Sequence, residues 1–142
     1  MRHTNRPVGI LFGLAVAATA LTGLAAPTAS AAVTRATAGC YGSSCNGKDP
    51  VDMGCNTDAY TVESAYSAKG TIELRYSPSC RSNWARISGT SVGQNFWVQN
   101  TNGNIHGWIA TGPTGFGNMV NGSVEARACI DNWDQPICTG WH

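Results

Sequence analysis

Charge is scarce in this sequence and balanced in sign, with nine Lys and Arg against eight Asp and Glu over 142 residues. A basic surplus, by which proteins hold nucleic acid or an anionic membrane surface, is missing, and both partners are argued against on that ground. Histidine is rarer still: beyond His3 there are only His106 and His142. A serine or cysteine nucleophile would find few bases to activate it. The six cysteines form no paired C-x-x-C knuckles and His106 has no partner histidine nearby, so no zinc site is read from the spacing. Past the opening residues, apolar side chains nowhere recur at helical spacing over ten or more positions. No cofactor or metal is implied.

The opening residues are different in kind. Arg2 and Arg6 precede an almost uninterrupted apolar run, Val8 to Leu24, and Ala29-Ser30-Ala31 supplies the small residues that signal peptidase requires. Residues 1–31 are therefore predicted to be a secretory signal peptide, and the protein to be extracellular. A retained anchor is the weaker reading, because the run is at the short edge of what a bilayer span needs. Cleavage after Ala31 would leave 111 residues with seven Lys and Arg against eight Asp and Glu, and no membrane span. That length suits one domain around one core. Residues 32–39 are small and polar and are expected to form a mobile leader, with 40–142 as a single disulfide-rich domain.

The stretch Thr71 to Ile87 organises the rest. Ile72, Leu74 and Tyr76 alternate with Thr71, Glu73 and Arg75 in the period-2 pattern of a half-buried strand, and Ser77-Pro78-Ser79 breaks it before a second β-like run from Trp84 to Ile87. Cys80 lies at the turn. Six cysteines behind a signal peptide read as three disulfides, and although they allow 15 pairings, locality favours Cys40 with Cys45, Cys55 with Cys80 and Cys129 with Cys138. Cys40 to Ala59 is rich in Gly, Asn, Ser and Asp and reads as a stapled loop. Its Asp49, Asp52 and Asp58 lack the spacing of a calcium loop and are expected to serve turns.

The run CYGSSCNGKDPVDMGC, followed by DAYTVESA, IELRYSPSC and NWARI, resembles the YjfA-like family of small secreted bacterial proteins, a domain of unknown function. Similar domains form the outer part of larger regulator-like proteins, so the resemblance implies an interaction or sensing module. It implies no catalytic residues.

The remaining chain reads as hairpins. For Thr61 to Tyr76, a three-residue loop Ala68-Lys69-Gly70 would set Tyr66 against Ile72, Ser64 against Leu74 and Val62 against Tyr76, with Glu63 opposite Arg75 outside. Asn102-Gly103 and Asn121-Gly122 are each expected to close a hairpin, the second setting Met119 against Val124. Beyond the second turn, Val124, Ala126, Ala128 and Ile130 are expected to point inward and Glu125 and Arg127 outward. Gly112 to Asn118 reads as a flexible link or bulged edge. The class is all-β, as a small disulfide-stapled barrel or two-layer sandwich.

Two function classes stay open: a non-catalytic extracellular module binding a protein or glycan at the cell envelope, and a small secreted hydrolase acting on envelope polymers. Glu63, Glu73, Glu125 and Asp58 are available as paired carboxylates, yet no motif marks them. Binding is the preferred reading. Its candidate residues lie in the aromatic hairpin Gln94 to Ala110, where a two-residue Asn102-Gly103 turn would place Trp97 opposite Trp108 and Gln99 opposite His106 on one face. Phe96, Val98, Ile105 and Ile109 would then form the core side. Two indoles with an amide and an imidazole suit a sugar ring or a partner loop, but the usual burial of large aromatics favours the alternative that the disulfide-rich segment covers them and they serve as a packing pair.

Overall fold

Nine strands carry the regular structure of residues 37–142, which are those that the computed structural model describes. The expected signal peptide, its cleavage site and most of the expected leader lie outside the described residues. In chain order the strands are β1 (Tyr60–Ser67), β2 (Gly70–Ser77), β3 (Ser82–Ser88), β4 (Asn95–Asn100), β5 (Ile105–Ile109), β6 (Thr114–Phe116), β7 (Val120–Asn121), β8 (Ala126–Ile130) and β9 (Ile137–Cys138). Two 3-10 turns, Gly42–Cys45 and Cys55–Thr57, precede them, and among the described residues no helix is long and apolar enough to cross a membrane.

The strands form two antiparallel sheets, one ordered β1-β2-β3-β6 with β7 also on β3, the other β5-β4-β8-β9. The architecture is a two-layer sandwich. Alternation explains it: Ile72 and Leu74 from β2, Ala85 and Ile87 from β3, Phe96 and Val98 from β4, and Ala126, Ala128 and Ile130 from β8 are all buried in one cluster. These are the inward faces that the period-2 pattern predicts for β2 and β8. The carboxylate of Glu73, on the outward face, pairs with Arg86 of β3.

A second apolar cluster lies on the outward side of the first sheet. Trp84 stands opposite Arg75, on the face away from the main core, yet it is 3% exposed. Cys40, Cys45, Cys55, Cys80 and Met119 surround it, with Ala38, Met53 and Ala59 at the margin. The stapled loop is thus a lid over this indole. Ala38 and Gly39, assigned from sequence to the mobile leader, belong to the lid: Ala38 packs at its margin and the Gly39 N–H donates to Met53 O at 2.9 Å.

All three disulfides join the cysteines that locality favours, Cys40–Cys45, Cys55–Cys80 and Cys129–Cys138. Cys129 and Cys138 are direct cross-strand partners on β8 and β9. The other two bridges adjoin, with their four sulfur atoms within 4.8 Å of one another.

Two expected pairings are corrected. The first hairpin turns on two residues, Ala68 and Lys69, with Ser67 opposite Gly70, so Ala65 rather than Tyr66 faces Ile72. Ser67 Oγ accepts from Lys69 N–H at 3.0 Å and donates to Gly70 O at 3.1 Å, which closes the shorter loop. Tyr66 consequently lies outside, and a bulge at Thr61/Glu63 turns Val62 back toward the core. Glu63 is not opposite Arg75; the Arg75 guanidinium donates to Thr61 Oγ1 at 2.7 Å and Ala59 O at 2.9 Å.

Asn121-Gly122 closes no hairpin. Met119 does not face Val124, because β7 pairs with β3 of the first sheet and β8 with β4 of the second. Gly122 is needed for close approach rather than for a positive φ, since a Cβ there would stand 2.7 Å from Asn83 Oδ1 and 3.0 Å from the Ser82 backbone. The segment Gly112 to Asn118 is the bulged edge: β6 and β7 lie along β3 with a one-residue slip between them.

Candidate functional site

The aromatic hairpin has the opposite register to the expected one. Its loop has three residues, 101–103, with Gly103 at φ +84, and Asn100 N–H donates to Asn104 O at 3.0 Å. The buried Asn100 carboxamide decides this, because it donates to Asn121 O at 3.1 Å and accepts from Asn104 N–H at 3.0 Å. A two-residue loop would break that anchoring and leave buried polar atoms without partners.

Trp97 therefore stands opposite Gly107, and Phe96 opposite Trp108. The four candidate residues divide. Trp97 and Gln99 share the outer face of the second sheet, where the indole N–H donates to Gln99 Oε1 at 3.0 Å. His106 and Trp108 share the other face with Val98 and Phe96, at the rim where β5 overhangs the core. A Cβ on Gly47 would lie 3.3 Å from the His106 ring, and one on Gly117 3.6 Å from Trp108 Cβ. Ile105 and Ile109, assigned from sequence to the core, point outward and are 60% and 58% exposed. The disulfide-rich segment covers Trp84, not the Trp97 face.

The outer face of this sheet is built from what the corrected register brings together. Gly107 lines a shallow groove of about 490 Å³ together with Asn95, Phe96, Trp97, Trp108, Ile109 and Thr111, so Trp97 and Trp108 both border it although their side chains leave opposite faces of the sheet. Trp97 has Cys129 as its neighbour on β8 and Gln99 has Arg127. Arg127 lies over the Trp141 ring at 4.5 Å from its centroid, which adds a second indole to the same side of the molecule. Sequence reasoning missed Ile105, Gly107, Ile109, Arg127 and Trp141 as members of this face. The available signal was Gly103, which suits the left-handed last position of a three-residue loop as well as it suits a two-residue turn.

Several other polar groups are engaged in holding the fold. Asp49 Oδ1 accepts from the N–H groups of Val51 and Asp52, at 2.7 and 3.2 Å, as turn chemistry predicts. Asp58 clasps the turn after β2 through Ser77 Oγ (2.7 Å), Ser79 N–H (2.9 Å) and Ser79 Oγ (3.0 Å). Glu63 Oε2 accepts from Gly140 N–H at 2.8 Å and pairs with the His142 ring, joining β1 to the segment that follows β9. A smaller depression of about 260 Å³ on the first sheet lies between Val51, Arg75, Trp84, Arg86 and Phe116.

Both clasping carboxyls are held below their ordinary values. For Asp58 burial is the largest single influence and pushes upward, but the hydrogen bonds from Ser77 and Ser79 together outweigh it; for Glu63 the His142 hydrogen bond leads, followed by Gly140 N–H. Depressed carboxyls contribute stability fully above their ordinary values of 3.8 and 4.5 and lose it as pH falls through the lower folded-state values. The urea midpoint is therefore expected to drop between about pH 5 and about pH 2, and an Asp58→Asn/Glu63→Gln double variant to show a shallower drop. An equally steep profile in that variant would assign the acid sensitivity elsewhere.

The comparisons with known proteins bear on the family alone. No curated protein and no solved structure matches the chain. A family model described as a protein of unknown function (DUF2690) matches residues 43–128, from the first 3-10 turn to the middle of β8. That span covers more than half of the chain and includes strands of both sheets, and the protein belongs to the DUF2690 family.

Proposed function

We propose that this protein is a non-catalytic binding module acting outside the cell, with the outer face of the β5-β4-β8-β9 sheet as its contact surface for a glycan or protein of the cell envelope. The groove lined by Trp97, Gly107, Trp108 and Ile109 carries the reading. An indole with its N–H directed to a neighbouring amide offers a flat apolar surface, while Gln99 and Arg127 supply polar groups beside it. The three disulfides suit an oxidising compartment. The narrower likeness to YjfA-like secreted proteins points the same way.

Binding is favoured over hydrolysis by where the carboxylates are spent. Of the four carboxylates named from sequence, Asp58, Glu63 and Glu73 each hold a structural partner, respectively the Ser77–Ser79 turn, His142 and Arg86, which leaves the exposed Glu125 without a second free carboxylate among the four. A glycosidase needs two carboxyls facing each other across the substrate.

The test is co-sedimentation of the secreted protein with purified cell wall, assaying the pellet for protein and the supernatant for released sugars. Wild type is expected in the pellet without sugar release. Trp97→Ala should weaken retention by roughly tenfold, the scale of one aromatic contact, while Tyr66→Ala on the other sheet should leave it unchanged. Sugar release above the blank would replace this reading with the hydrolase, and no retention at all would remove the envelope polymer as partner.

A further inference from the structure

Among the described residues four strand edges bound the two sheets, and three of them are protected against pairing with another chain. β1 is bulged at Thr61/Glu63, and Glu63 is tied to His142. β6 has three residues, follows Pro113 and slips by one residue into β7. β9 has two residues, and the segment after it continues along β8, where His142 and Ala126 exchange backbone hydrogen bonds of 2.8 and 3.0 Å. These are the devices by which proteins blunt sheet edges.

β5 has none of them. Its sequence, Ile-His-Gly-Trp-Ile, contains no Asp, Glu, Lys, Arg or proline, and it pairs with β4 without a bulge. No Asp, Glu, Lys or Arg occurs anywhere between Arg86 and Glu125. Hydrogen bonds from Ala110 N–H to Gln94 O (2.8 Å) and from Asn100 N–H to Asn104 O (3.0 Å) bracket the β4–β5 ladder. Antiparallel alternation then turns the N–H and C=O groups of His106 and Trp108 toward β4, and those of Ile105, Gly107 and Ile109 toward the open edge.

Among the described residues no contact of Gly107 requires a glycine. Its φ is not positive, and a Cβ there would meet nothing nearer than 3.9 Å. A glycine inside a strand commonly marks the close approach of another backbone.

We propose that β5 is a self-association edge, on which a second copy of this chain adds its own β5 antiparallel about a two-fold axis through Gly107. The strand is self-complementary in that register. Gly107 meets Gly107 of the second copy, Ile105 meets Ile109 of the second copy, and each outward N–H and C=O of the three residues finds a partner. Two charged edges of the same sequence would repel; this one carries no fixed charge to oppose itself. On the outer face the exposed isoleucines pack across the new ladder, and the missing side chains at the axis leave room for both Trp97 indoles. The ladder is short, so the association is expected to be weak and reversible.

Sedimentation of the secreted protein alone, from about 1 μM to about 500 μM, tests for this dimer without any ligand. A monomer–dimer equilibrium is expected, with amide exchange at Ile105, Gly107 and Ile109 slowing as concentration rises. Gly107→Pro removes an outward donor without touching a bond to β4, and Ile105→Lys replaces the isoleucine that packs against Ile109 of the second copy by a charged edge residue of the kind that blunts strand pairing. Each variant should shift dimerisation to at least tenfold higher concentration with the urea midpoint retained. A wild-type chain that stays monomeric throughout overturns the proposal, as does a dimer that both variants leave intact.

Discussion

Trp84→Ala is expected to cost about 3 to 5 kcal/mol, the range for deleting a large buried aromatic. The indole is almost fully buried although it lies on the outward face of the first sheet, because the stapled loop closes over it with two disulfides and Met119. No side chain of the main cluster can move into the space, since the sheet itself stands between them. The loss should be local before it is global: in hydrogen exchange, amides of residues 39–58 should lose protection while those of β4 and β8 keep theirs. Trp84→Phe should recover part of the stability. A cost below about 1 kcal/mol, with loop protection intact, would show that the disulfides hold the lid without the indole.

Removing the Cys55–Cys80 bridge by double alanine substitution is expected to cost about 3.5 kcal/mol, from the entropy of the loop it closes in the unfolded chain. The separation is 25 residues, against 9 for Cys129–Cys138 and 5 for Cys40–Cys45. The same relation assigns these two about 2.7 and about 2.2 kcal/mol. The structure adds a reason for the ranking: Cys55–Cys80 ties the lid to the turn after β2, where Asp58 already clasps Ser77 and Ser79. Melting should fall by roughly 15 to 25 °C. Equal losses from all three double variants would reject the ranking.

Much of the sandwich was legible in local pattern. Ile72 and Leu74, and Ala126, Ala128 and Ile130, alternate with polar residues and face the core as that alternation predicts. The two short-range disulfides follow from proximity along the chain, and Cys55 and Cys80 were left for each other. Registers were not legible. In each hairpin the sequence allowed loops of two or three residues, and the choice was made by hydrogen bonds with partners in the loop or far along the chain. Ser67 Oγ closes the shorter loop in the first hairpin, and Asn100 reaches Asn121 to fix the longer one in the second.

The candidate site shows what one such choice does. A one-residue slip sends every side chain of a strand to the other face. It separated Trp97 and Gln99 from His106 and Trp108, and it moved Ile105 and Ile109 from the predicted core to the surface.

The sequence by itself determined the all-β class and the inward faces of β2 and β8, because each depends on a period that any strand must keep among neighbouring residues; it favoured one cysteine pairing of fifteen without fixing it. Only the tertiary structure decided that β7 and β8 belong to different sheets, that the stapled loop seals Trp84, and that Gly107 lies beside Trp97 at an open edge. Those outcomes rest on contacts between segments far apart in sequence, such as Gly122 against Asn83 and Asn100 against Asn121, whose energies no local period encodes.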